Sequence, residues 1–288
     1  MSRGTLCFVL FLGAIFVLPA RSQPPVRLLL SWNLRPYWEF AEGFRSTRFF
    51  RVHISLLRED FQPDFRENPL PVGHRALGFI RQAGFEGPLF AALILHPSLL
   101  GPREAQGGIY LLPPPGDFFP RLKNVLSAHD LSVRRIGIPY TSPSLKRFLE
   151  EIRKEASSYG FQVNLLPLTG FEAFRRELAG LDLVFFVPDP FLESEGVISR
   201  LVKTTVLSGR LAIGYNRFFL EKGAHFALII DYRGAGREGA KLFREFLAGA
   251  RKWTPAPFHI EENKKALRFY QLRKSSNSTK KTSSPGRE

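Results

Sequence analysis

The stretch from Val133 to Leu166, VRRIGIPYTSPSLKRFLEEIRKEASSYGFQVNLL, decides the fold class. Its middle reads as a helix. Ser142 caps it, and Pro143 takes the first turn, where a missing N–H costs nothing. Leu145, Phe148, Ile152, Ala156 and Tyr159 then fall on one face at helical spacing, and Gly160 stops the helix. Short apolar, β-rich runs flank it at Arg135–Tyr140 and Phe161–Leu166. A strand, a helix and a second strand of this kind form a β-α-β unit, whose right-handed crossover makes the two strands parallel.

The same alternation extends both ways along the chain. Further strand-like runs are Val26–Ser31, Arg51–Leu56, Leu89–Leu95, Leu181–Val187, Leu211–Tyr215 and Phe226–Asp231. Two of them, LFAALIL and LDLVFFV, are almost continuously apolar, as strands covered by helices on both faces must be. Helical patterns recur at Phe171–Leu178, Glu193–Leu207 and Glu238–Ala250. The fold class is therefore α/β, built on parallel sheet. Residues 97–122, rich in Pro and Gly, interrupt the series with only one short apolar run, Ile109–Leu112. Two lobes follow, with a connection expected near residues 130–136. Residues 273–288 contain no apolar residue and are predominantly basic, so a disordered tail is expected there.

Composition is that of an ordinary globular protein: 288 residues, 44% hydrophobic, 23% charged, with 28 Phe to fill a core. Collagen-like and disulfide-scaffold classes are excluded. Arg3, the apolar run Leu6–Leu18 and the small residues Ala20 and Ser22 have the layout of a secretory signal peptide over residues 1–22. The run is shorter than a membrane span requires. Amino-terminal sequencing of the exported protein is expected to start at Gln23; membrane-bound protein that retains Met1 would show an anchor instead. Cleavage would lower the formal net charge of +15 by two, through Arg3 and Arg21, and remove the single Cys. Without that residue, disulfides, thiolate catalysis and Cys-ligated metals are excluded.

The remaining motifs are weak. GAGREG, with Gly234, Gly236 and Gly239, formally fits a dinucleotide fingerprint, but it lies late in the chain and no strand ending in an acid follows it. Its glycines read as a tight turn and close helix packing, so no cofactor is expected. The six histidines are scattered, which predicts no metal site. No nucleophile or acid–base set is visible, which points away from an enzyme. The basic excess comes without a helix-turn-helix, zinc or RRM signature, so no nucleic-acid partner is expected.

Ordered blocks along the chain resemble a family of substrate-binding proteins associated with ABC transporters. LFAALILHPSLL resembles the family's strand and following turn, with His96 where an acid or amide is usual. VRRIGIPYTSPS resembles the strand that opens the second lobe, and GLDLVFFVPDPFL carries the Val-Pro-Asp segment at Val187, Pro188 and Asp189. FLEKGAHFALIIDYRGAGREGAKL resembles a late segment through Gly223, Ala224, Asp231, Tyr232 and Gly236. SWNLRPYWEFAEGF and PLPVGHRAL match more loosely, the latter with His74 replacing a hydroxyl residue.

The resemblance implies a type I periplasmic-binding-protein fold: two Rossmann-like parallel-sheet lobes with a hinge and a cleft between them. The implied lobes are residues 23–134 with 228–250, and residues 135–227 with 251–272. It also implies an exported, periplasmic, monomeric protein that hands a small organic ligand, an amino acid or similar, to an ABC permease. A sensory or partner-binding module with a repurposed cleft is the alternative. Ligands of open α/β sheets bind beyond the carboxyl ends of the strands. That rule nominates Ser31 through Trp32 to Asn33, Gly73 with His74, His96, Tyr140, Thr141, Ser142, Asp189, Tyr215, Asn216 and Asp231. Asp189 is expected to meet a cationic group, so that its loss would weaken binding while leaving the ligand-free protein's melting unchanged.

Overall fold

The computed structural model describes residues 23–282 except 59, 102, 103, 190, 191 and 193, with side chains as far as Lys274. The proposed signal peptide lies outside the described residues.

The chain begins with strand β1 (Pro25–Leu30), helix α1 (Arg35–Ser46), β2 (Arg51–Leu56), β3 (Asn68–Val72), α2 (His74–Gln82), β4 (Phe90–Ile94) and β5 (Gly107–Tyr110). Next come α3 (Pro115–Ala128), β6 (Arg135–Tyr140), α4 (Leu145–Ala156), β7 (Gln162–Pro167), α5 (Phe171–Glu177), β8 (Leu183–Phe185), α6 (Glu195–Leu207), β9 (Leu211–Gly214) and α7 (Arg217–Glu221). It ends with β10 (Phe226–Ile230), α8 (Tyr232–Leu247), β11 (Trp253–Pro255), β12 (Phe258–Glu262) and α9 (Lys264–Thr282). These strands form two six-stranded sheets, ordered β11-β5-β4-β3-β1-β2 and β12-β10-β9-β8-β6-β7. All pairs in them are parallel except β10 with β12. The α/β class with two parallel-sheet lobes is as the alternation implied.

Each sheet is buried by helices on both faces. In the first lobe Phe44, Phe50, Phe90, Phe243 and Phe246 form a continuous aromatic cluster, with ring centroids 5.4 Å apart for Phe90–Phe243 and 5.6 Å for Phe44–Phe50. Helices α1 and α8 meet there at the glycines. A Cβ on Gly236 would stand 2.7 Å from the Phe44 backbone nitrogen and closer still to the Phe40 carbonyl oxygen. Two of the GAGREG glycines, Gly236 and Gly239, are therefore buried where α8 packs on α1. Helix α8 starts at Tyr232, six residues before the expected Glu238, because the Asp231 side chain accepts from the Gly234 N–H and caps it.

The lobes exchange chain at three places, and these differ from the expected boundaries. The first crossing lies between Leu111 and Pro114, not near residues 130–136. Helix α3 belongs to the second lobe because Phe118 stacks on Phe185 at 4.7 Å and Phe119 meets Phe161 at 5.4 Å. The second crossing is at Asp231, so all of β10 stays in the second sheet and α8 returns to the first. The third is at Ala256 and Pro257: β11 pairs with β5 in the first lobe, and β12 with β10 in the second. Helix α9 runs from Lys264 to Thr282, so the tail boundary expected at residue 273 falls inside a helix. Among the described residues, no helix is long and apolar enough to cross a membrane.

Candidate functional site

Both sheets turn their carboxyl ends toward the space between the lobes. Two adjoining cavities lie there. The first, about 530 Å³, is walled by Trp32, Tyr37, His74, Arg75, Leu93, Leu95 and Leu111 from one lobe and by Pro188, Asp189 and Tyr215 from the other. The second, about 440 Å³, shares Tyr215 and adds Arg35, Glu39, Asn216, Arg217 and Tyr232. Both volumes suit small organic ligands.

Local sequence explains the walls. Leu93 sits at φ +54°, in the left-handed region a leucine rarely adopts, where β4 loses register with β5 between Ala91 and Ile94. This bulge lies in the cavity wall. Gly73, at φ +93°, ends β3 and presses against the Ser31 side chain, which is why no larger residue fits before His74. His74 Nε2 accepts from the Leu95 N–H at 3.2 Å, fixing the ring between two strand ends, and burial lowers its pKa. Arg75 lies over the Trp32 ring at 4.4 Å, so cation and indole form one surface. Burial, with neighbouring Tyr37 and Glu39, pushes the Tyr232 hydroxyl up to about 12, so it stays protonated.

Five nominated residues line these cavities: Trp32, His74, Asp189 and Tyr215 in the first, Asn216 in the second. The others lie outside their walls and have structural work. Ser31 is buried and its Oγ accepts from the Ala76 N–H at 2.9 Å, holding the start of α2. Asn33 Oδ1 accepts from Trp38 Nε1. His96 Nδ1 accepts from the Ser98 N–H, and its ring packs on Phe148 of the other lobe at 4.4 Å. Asp231 caps α8, and Asn216, besides lining a cavity, caps α7 through the Phe218 N–H.

Asp189 ties the second lobe's strand ends together. Its carboxylate accepts from the backbone N–H groups of Thr141 at 2.9 Å and Ser142 at 3.1 Å, and from the Thr141 hydroxyl. The turn after β6, from Tyr140 through Thr141 to Ser142, is thus held from β8. Helix α4 begins only at Leu145, with Ser144 rather than Ser142 at its cap position. The three bonds to Asp189 give the carboxylate a structural task in the ligand-free protein, against the expectation that its loss leaves melting unchanged. Tyr37 and Arg75 also line the first cavity although the strand-end rule does not nominate them; Arg75 directly follows the nominated His74.

Chemically, the cleft presents aromatic faces, a guanidinium and a neutral imidazole. Among the described residues, no group of three His, Cys, Asp or Glu is placed to hold a metal ion.

No family model matches the sequence, and neither does any curated protein. Solved structures do. An ABC domain from Streptococcus pneumoniae in complex with L-Trp is 15% identical, with a TM-score of 0.59 over 87% of this chain and 95% of its own. A ligand-free, open substrate-binding protein with adhesive properties from Clostridium difficile is 13% identical, with a TM-score of 0.64 over 86% of this chain and 95% of its own. The fold is that of the type I periplasmic-binding proteins. An ABC transporter solute-binding protein from Agrobacterium vitis, bound with alpha-D-tagatopyranose, matches at 13% identity and a TM-score of 0.51 over 83% of this chain and 95% of its own. At such identities the likeness carries the type I periplasmic-binding fold, and the ligand must be argued from this cleft.

Two histidines outside the cavity walls make the fold sensitive to acid. Burial pushes His96 and His225 down to about 4. His225 is fully buried: its Nδ1 accepts from the Ala212 N–H at 3.1 Å, and its ring meets Tyr270 edge-on at 5.3 Å. Unfolded histidine takes up a proton near pH ~6.5, whereas these folded rings resist it until about 4. Stability is therefore complete above ~6.5 and declines as pH falls from there toward about 4. The melting temperature should drop by at least roughly 5 °C between about pH 7 and pH 4.5, and His225→Asn should flatten that slope.

Proposed function

We propose that this chain is an exported solute-binding protein that encloses a small organic ligand between its lobes and delivers it to an ABC-type permease, without catalysing a reaction on it. The observation that carries the reading is the interlobe cavity, about 530 Å³ and walled by strand ends of both sheets. Three chain crossings form a hinge about which such lobes close on a ligand. Trp32, Tyr37 and Tyr215 offer flat apolar contact, and Arg75 offers a bidentate partner for a carboxylate. Asp189 spends its carboxylate on Thr141 and Ser142, which argues against a free ammonium as the main anchor. A flat or apolar carboxylate is the ligand class that fits.

A thermal-shift screen of amino acids, nucleosides and small carboxylates tests this. A ligand at a hundredfold its Kd stabilises by about 2.7 kcal/mol, a readily measured rise in melting temperature. The hit should quench Trp32 fluorescence and lose at least about tenfold in affinity on Arg75→Ala. A hit that binds Arg75→Ala as well as the parent would remove the carboxylate from the reading. No hit across all three classes would count against ligand binding in the cleft.

A further inference from the structure

The opposite pole of the second lobe carries a surface that solute binding does not use. Helix α9 packs there by one side only. Leu267 is buried, Tyr270 abuts His225, and Gln271 reaches the His129 carbonyl oxygen. Arg273 donates to the carbonyl oxygens that end α6, Leu207 among them. The outward side, at helical spacing, is Lys265, Arg268, Phe269 and Leu272. Phe269 is 57% exposed, Leu272 62% and neighbouring Leu207 67%, three of the most exposed large apolar side chains among the described residues. Around them stand Lys265, Arg268 and Lys274, and no acidic residue occurs anywhere between Lys264 and Thr282.

We propose that this pole docks on an anionic lipid surface. Exposed apolar side chains beside basic ones, on a helix that carries no acid of its own, suit a headgroup layer: the basic groups meet anionic phosphates and the apolar groups reach the acyl boundary. Charge complementarity selects the occupant. A soluble polyanion such as nucleic acid would use the cations but would gain nothing from exposed Leu272 and Leu207. Topology permits the arrangement as well. His225 and Arg210 precede β10 and β9, whereas Tyr215 and Tyr232 follow those strands, so patch and cleft lie at opposite ends of the same sheet. A molecule held by this pole keeps its cleft open to solvent. The proposal rests on this surface alone and is independent of what the cleft binds.

Vesicle co-sedimentation of the full chain decides it, using phosphatidylcholine with and without about one third phosphatidylglycerol. Binding should be at least about tenfold stronger with the anionic lipid, and should collapse at ~1 M salt, where screening reaches ~3 Å. Phe269→Ser with Leu272→Ser should cut vesicle binding at least about tenfold while leaving retention on heparin unchanged. Both side chains are exposed, so the double variant should melt like the parent. Lys265→Glu with Arg268→Glu should lose both kinds of binding. Residues 1–22 are common to all variants and cancel from the comparison. Equal binding to both vesicle types would overturn the proposal. Vesicle binding untouched by the serine pair but abolished by charge reversal would overturn the insertion of Phe269 and Leu272, and with it the argument that selects a lipid surface over a soluble polyanion.

Discussion

Replacing Asp189 by alanine is expected to lower the melting temperature of the ligand-free protein by roughly 6–12 °C. The carboxylate receives two backbone N–H groups and one hydroxyl from the Thr141–Ser142 turn, and only 6% of the residue is exposed. Hydrogen bonds to a charged acceptor contribute about 1.5–3 kcal/mol each, and buried donors left unpaired add a desolvation cost. Partial rehydration from the adjoining cavity reduces the total to about 3 kcal/mol, and each kcal/mol shifts a chain of this size by about 2–4 °C. Thr141→Val removes one of the three bonds and should cost about 1 kcal/mol. Asp189→Asn keeps a single good acceptor and should fall between the two. Thermal unfolding of the three variants, without ligand, gives the order. If Asp189→Ala melts like the parent while weakening a bound ligand, the carboxylate belongs to the ligand and the turn holds itself.

This case shows where residue patterns stop. A strand end marks the level of the cleft, but not the direction of a side chain. Ser31 and Asp231 stand at strand ends and turn back to satisfy helix N–H groups, whereas Trp32 and Tyr232, one residue further on, line the cavities. Ser and Asp are good caps as well as good ligands, so their identity cannot separate the two tasks.

The fold was more legible, because continuous apolar runs such as those of β4 and β8 leave little choice in a parallel sheet. Strand β3 escaped that test. Its sequence, Asn68-Pro69-Leu70-Pro71-Val72, places two prolines in an interior strand, normally an argument against one. The structure accommodates them through parity. Gly73, in step with Pro69 and Pro71, donates to Ala92 of β4, so the missing donors face β4, where pairing is limited to Val72 with Ala92. The side toward β1 keeps its full register from Asn68 to Val72. Helix α3 was hidden in the same way, since its proline-rich start looks like a loop although Pro115 suits a first helical turn.

Gly236→Ala should be among the most damaging single methyls in the first lobe. The added Cβ would meet the backbone of α1 at Phe40 and Phe44, and no rotamer change relieves a clash with backbone. Gly43 makes the reciprocal approach, its Cβ position lying 2.9 Å from the Arg233 carbonyl carbon. The two helices must therefore part, loosening Phe40, Phe44 and Phe243 against the sheet, at about 3 kcal/mol or more. Gly78 in α2 supplies the control. A Cβ there meets nothing within 4 Å, so Gly78→Ala should stabilise by about 0.5–1 kcal/mol through helix propensity alone. Denaturant titration of both variants should thus move the midpoint in opposite directions. The separation also reaches the cleft, because α1 carries Tyr37 in its first turn and α8 starts with Tyr232, one in each cavity wall. A folded Gly236→Ala protein should consequently bind its ligand more weakly, although residue 236 touches neither cavity. If both variants gain stability alike, α1 and α8 pack more loosely than this, and the glycines of GAGREG need a different explanation.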